Sequence, residues 1–146
     1  HSSQALEIVR TVGMTFIGPA ILATTAASSE DQAMALAMLK EAETILDSGC
    51  VAHNHIYFAR TAIGHALRTR AWDLVERYAT RLETYTRREP LPWSDFIIAE
   101  GRVLAAWGRG QRSDELAREM RRLLSIAIDR GLVLDVAVLN RALASA

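Results

Sequence analysis

The chain contains one cysteine, Cys50, so no internal disulfide can form. Its stability has to come from packing, and a lone free thiol is consistent with a reducing compartment. Three prolines and eight glycines among 146 residues are too few for a loop-rich or disordered protein. Lysine is nearly missing. Lys40 stands alone and the remaining positive charge is arginine, which together with abundant alanine favours helix. No apolar run approaches the roughly 18–20 residues that cross a bilayer. No secretory leader is evident, although the opening His1-Ser2-Ser3 reads as a tag remnant and such a leader is removable. Also absent are a glycine-rich phosphate loop followed by Lys, a Gly-x-Ser-x-Gly elbow and a His-Glu-x-x-His pair. With four histidines, one of them His1, general acid–base chemistry has few candidates. These absences point to a cytoplasmic protein without a membrane partner, a cofactor or a catalytic site.

What is present suits a single globular domain. Half of the residues are apolar, and 17 basic side chains balance 17 acidic ones. That balance leaves no nucleic-acid footprint on the chain as a whole. It conceals a split, because residues 1–50 carry only Arg10 and Lys40 against Glu7, Glu30, Asp31, Glu41, Glu43 and Asp47. Such polarity either orients a partner or decorates a solvated face.

Apolar residues three or four apart run through most of the chain. Residues 52–88 read as a helical hairpin. Its first arm carries Ile56, Tyr57, Arg60, Ile63, Gly64 and Leu67, and its second carries Trp72, Val75, Tyr78, Ala79, Leu82 and Tyr85. The connection Arg68-Thr69-Arg70-Ala71 is short enough to force an antiparallel return. Neither arm buries its stripe alone, so copies are expected on either side. Upstream, Ala5, Ile8, Val9 and Val12 form a stripe ending at Gly13 that reads as the cut end of a longer array. Residues 14–27 are apolar nearly all round, with Pro19 expected in a first turn or at a kink, because an interior proline costs about 3 kcal/mol. Ser28-Ser29 is the expected N-cap of a helix that opens at Glu30-Asp31 and stops at Gly49. Downstream, Pro92 opens a helix carrying Phe96, Ile97, Glu100, Val103, Leu104 and Trp107. Ser113 caps the next, which stops at Gly131. Residues 132–144 are expected to pack as a terminal helix through Leu134, Val136, Val138, Leu139 and Leu143. The fold class expected is all-α, with about seven to eight helices in one helical-repeat domain over residues 1–146.

Placing Gly18, Gly64 and Gly101 on one another brings three hairpins into register: Met14-x-x-Ile17-Gly18-x-x-Ile21, Arg60-x-x-Ile63-Gly64-x-x-Leu67 and Ile97-x-x-Glu100-Gly101-x-x-Leu104. The pattern resembles the tetratricopeptide repeat, in which a glycine lets paired helices approach closely. Its spacing departs from the roughly 34 residues of that repeat, and Arg60 and Glu100 stand where bulky apolar residues belong. Whole phrases carry a closer resemblance: Gly13-Met14-Thr15-Phe16-Ile17-Gly18-Pro19, Gly49-Cys50-Val51-Ala52-His53-Asn54-His55 and Glu89-Pro90-Leu91-Pro92-Trp93-Ser94-Asp95-Phe96. They are similar to the C-terminal tetratricopeptide region of large bacterial signalling proteins described as adenylate or guanylate cyclases, or as ATPases with a cyclase-like region. The resemblance implies a fragment of a longer protein, with nucleotide chemistry upstream and a sensing or scaffolding role here.

Candidate binding residues follow from the first arms. Phe58, Thr61, His65, Arg68, Ile98 and Arg102, with Ala105, are expected to face a concave groove that takes a protein or peptide. A small-molecule sensor with a pocket around Phe58, His65 and Arg102 is the alternative. Cys50, His53 and His55 have a metal-like spacing but supply at most three ligands, with His65 a distant fourth. The plainer reading packs Cys50, uses His53 or Asn54 as a helix cap and gives His55 a carboxylate. Arg60 and Glu100 are expected to pair, or Arg60 to reach Asp95, since unpaired buried charge is costly. Trp72, Trp93 and Trp107 read as packing residues, and Arg118, Arg121 and Arg122 as surface ion-pair partners of Glu115 and Glu119. The apolar terminal helices offer a surface for homo-oligomerisation.

Overall fold

The computed structural model describes residues 4, 6–8, 10 and 13–145. Among the described residues there is no strand, and seven helices follow helical residues between 4 and 10. They are α1 (Met14–Ala27), α2 (Gln32–Ser48), α3 (His53–Arg68), α4 (Trp72–Thr86), α5 (Pro92–Gly108), α6 (Asp114–Asp129) and α7 (Val133–Ala144). No helix is long and apolar enough to cross a membrane among the described residues. Most of the stripe expected before Gly13 lies outside the described residues. Of its members only Ile8 is described, and it is exposed, while the neighbouring Leu6 is buried.

Local chemistry sets most boundaries. Asp31, not Ser28 or Ser29, caps α2, its carboxylate accepting from the backbone N–H of Ala33 at 2.9 Å and of Met34 at 3.1 Å. Ser29 instead makes a turn with Asp31, accepting its N–H at 3.2 Å. Ser113 caps α6 through the N–H of Leu116, and Pro92 opens α5 at its first turn. Two helices end in the same six-to-one closure. After α5, Gly110 (φ 85°) and Gln111 donate to the carbonyls of Trp107 and Ala106; after α6, Gly131 (φ 67°) and Leu132 donate to those of Ile128 and Ala127. Glycine is favoured at those two left-handed positions.

The chain forms two compact units, His1–Arg68 and Thr69–Ala146, and their boundary falls inside the connection of the expected central hairpin. In the first unit α1 packs along both α2 and α3, which touch each other only lightly. Pro19 is the sixth residue of α1, past the first turn and fully buried. It has no N–H to give the carbonyl of Thr15, four residues back. That carbonyl accepts instead from the backbone N–H of Val51 at 3.3 Å and from Asn54 Nδ2 at 3.4 Å. Asn54 is fully buried and makes its better bond, 2.9 Å, to the carbonyl of Phe16.

The buried face of α3 differs from the expected stripe. Asn54, Phe58, Ala59, Ala62, Ile63, His65 and Ala66 are buried, while Tyr57 is 48% exposed and Ile56, Arg60, Gly64 and Leu67 are half-buried. Nor does Gly64 mark a close approach, because a Cβ built there has open space around it. At Gly18 the atoms nearest to a Cβ would be those of Met14 in its own helix, at 3.0–3.2 Å, and Gly101 is buried within α5.

In the second unit α5 packs along α4 and more lightly against α6 and α7, and α6 packs on α7. The glycine that permits contact is Gly108. A Cβ there would fall 2.8 Å from Cζ2 and Cζ3 of Trp72, whose ring covers the end of α5. α7 buries only Asp135 and Leu139, leaving Val133 and Leu134 each 75% exposed instead of packed.

Two stability predictions follow from these contacts. Asn54→Ala removes both side-chain donors and is expected to cost about 1–3 kcal/mol in urea denaturation. Pro19→Ala, which supplies the missing backbone N–H, should shrink that cost in the double variant. Gly108→Ala is expected to cost about 1–3 kcal/mol through overlap with the Trp72 ring; in a Trp72→Ala background the same substitution should be close to neutral, and an equal cost in both backgrounds would refute the contact.

Candidate functional site

The residues expected to line one concave groove fall in both units, Phe58, Thr61, His65 and Arg68 in the first and Ile98, Arg102 and Ala105 in the second. Phe58 and His65 are buried on α3, Thr61 is half-buried, and Arg68 is exposed with Nη2 donating to the carbonyl of Ala27 at 2.7 Å. Ile98 and Ala105 are buried on α5 of the other unit. Arg102 is engaged with α4. Its Nε donates to Glu76 Oε1 at 3.0 Å, and Nη1 and Nη2 donate to the two oxygens of Glu83 at 3.1 and 2.9 Å. Nη2 also reaches Thr80 Oγ1 at 3.3 Å. Glu76, Thr80 and Glu83 recur at helical spacing on α4, so one guanidinium clamps a whole stripe. The hydrogen bond and positive charge of Arg102 hold the Glu83 carboxyl below the usual range, and Glu83 in turn raises the Arg102 guanidinium further. This is a structural clamp between α4 and α5. Of the residues named for a sensor pocket, Phe58 and His65 belong to the first unit and Arg102 to the second.

The Cys50/His53/His55 cluster does not assemble, and among the described residues no group of three His, Cys, Asp or Glu could hold a metal. The His53 ring stands edge-on between Phe16 and Tyr57, with centroids 6.1 and 5.9 Å away. Cys50 is half-buried with Sγ 3.7 Å from the carbonyl of Val51, and His55 is half-buried. Asn54 is taken up by the Thr15 and Phe16 carbonyls and caps nothing. Arg60 is half-buried on α3 and Glu100 buried on α5. Of the expected surface pairs, Arg122 and Glu119 meet.

A concavity that sequence reasoning missed lies in the second unit. A cleft of about 700 Å³ is bounded by the first turns of α5 (Pro92, Trp93, Asp95, Phe96), the second half of α6 (Arg122, Leu123, Ile126, Asp129), and Arg130 and Leu132 in the turn to α7. Phe96 and Leu123 are buried beneath it, Ile126 and Leu132 are half-buried, and Trp93 is 37% exposed. Pro92 and the Gly131 turn position the two walls. Phe96, Leu123 and Ile126 carry ordinary helix-face spacing, so nothing in the sequence distinguishes a cleft from a closed core there. The only available hint was the pairing of Pro92 with Trp93 at a helix start. With an apolar floor and exposed charges at its edge, the cleft is suited to holding an apolar side chain of a ligand by burial.

Comparison of the chain with protein-family models, curated proteins and solved structures finds no match.

Burial, and secondarily the positive charge of Arg68, lowers the pKa of His65 from its ordinary 6.5. The folded protein therefore favours the neutral ring, and between the lowered value and 6.5 the unfolded chain binds more protons. Stability is full above about pH 6.5 and falls as the pH drops through the folded value. Urea midpoints measured at about pH 7.5 and pH 5.5 should show this loss, and His65→Gln should lessen it; an unchanged pH slope in the variant would exclude the histidine as its source.

Proposed function

We propose that this chain is a non-catalytic interaction module, a degenerate tetratricopeptide-like hairpin array that binds a protein or peptide in the cleft of its second unit. The cleft above Phe96 and Leu123 carries this reading, because it joins the accessible apolar surface of Trp93, Ile126 and Leu132 to exposed charge within ligand-sized volume. Helix packing supports the repeat architecture. In the first unit α1 touches both its hairpin partner α2 and the following first-arm helix α3, and in the second α5 touches both α6 and α7, as stacked hairpins do. The resemblance to the C-terminal region of bacterial cyclase- or ATPase-type signalling proteins suits a cytoplasmic regulatory or scaffolding segment of such a protein.

The test is selection of binders from a displayed random-peptide library, followed by measurement on variants. Ile126→Glu, a half-buried position in the cleft, is expected to weaken selected peptides more than tenfold while leaving the circular-dichroism spectrum unchanged. Tyr57→Glu, on the other unit, should leave them unaffected. Peptides lost with Tyr57→Glu and retained with Ile126→Glu would overturn the assignment.

A further inference from the structure

The charges at the cleft edge are not equally free. Arg122 is gripped by Glu119, Nε on Oε2 and Nη2 on Oε1, both at 2.7 Å. This two-pronged geometry holds a guanidinium firmly. Asp95, Asp129 and Arg130 are exposed, and their side chains make no hydrogen bond or ion pair among the described residues. Uncommitted acid therefore outnumbers uncommitted base at this edge, on a chain that is neutral as a whole. The placement of Asp129 adds to the effect. It is the last residue of α6, at the negative end of the helix dipole, where a cation is the favoured neighbour.

We propose that the cleft, on the reading of it as the binding site, takes a short segment of a protein partner in which a large aliphatic side chain is flanked by lysine or arginine. The aliphatic group lies against Ile126, Leu132 and Trp93, and the flanking cations meet Asp129 and Asp95. Exposed ion pairs of this kind discriminate between partners more than they add affinity, and they respond to salt.

The probe is a set of three short peptides with the same leucine pair and flanks of arginine, glutamine or glutamate, followed by fluorescence anisotropy at low and high salt. The arginine peptide is expected to bind best, with an advantage over the glutamine peptide that high salt removes. Asp95→Asn/Asp129→Asn should erase that advantage, about fivefold, without changing glutamine-peptide binding, and Ile126→Glu should weaken both. Equal binding of all three peptides, lost on Ile126→Glu, would overturn the charge preference while leaving the cleft as a binding site. No binding of any peptide would overturn both. Light scattering provides the remaining outcome: self-association abolished by Ile126→Glu would assign the cleft to a second copy and refute a basic segment as its occupant.

Discussion

The helices α1 to α7 are all short, from twelve residues in α7 to seventeen in α2 and α5. Helices of that length are marginal in water, so each one exists because a neighbour covers its apolar side. The tightest expression of that dependence is at Pro19. A proline in the body of α1 leaves the carbonyl of Thr15 without its helical partner, and the segment leading into α3 supplies the replacement through Val51 and Asn54. An orphaned backbone acceptor in one helix thus becomes the attachment point for another. In the second unit the corresponding device is steric. Only a residue without Cβ lets the Trp72 ring lie on the end of α5.

Arginine connects the helices elsewhere. Arg68 reaches the end of α1, Arg102 clamps α4 to α5, and Arg109 reaches Asp73 at 2.7 Å. Arg112 lies 3.8 Å over the Trp107 ring while donating to the Trp107 carbonyl. The rigid, forked donor of arginine can satisfy two acceptors on different turns at once, which the single ammonium of lysine does less well. The near absence of lysine is consistent with that use. The donors of Arg102 already have acceptors on α4. The cleft differs because the carboxylates of Asp95 and Asp129 are left uncommitted at its edge.

Much of the one-dimensional organisation was legible. Stops at Gly49 and Gly131, the Ser113 cap, the start at Pro92 and the inward stripe of α4 through Val75, Tyr78, Ala79 and Leu82 all rest on signals contained within a few residues. The α3 stripe was misjudged because alanine dilutes the hydrophobic pattern. Large apolar residues pointed to Ile56, Tyr57 and Leu67, yet the helix buries the Phe58, Ala59, Ala62 and Ala66 side. Small residues allow close backbone approach, so that face can be the better one to bury. The close approach expected at Gly64 is missing for a related reason. An apolar–Gly pattern does not reveal whether another helix stands opposite, and at Gly64 nothing does.

The amino-acid order by itself determined that this chain is helical, roughly where each helix starts and stops, and that no disulfide contributes. Those properties depend on caps, turn residues and periodicity, all local in the chain. Tertiary structure alone decided which face of α3 is covered, which glycine meets a ring, that Arg102 is clamped and that α5 and α6 leave a cleft between them. Each of these depends on what a distant segment places opposite, and that information is spread over the whole fold.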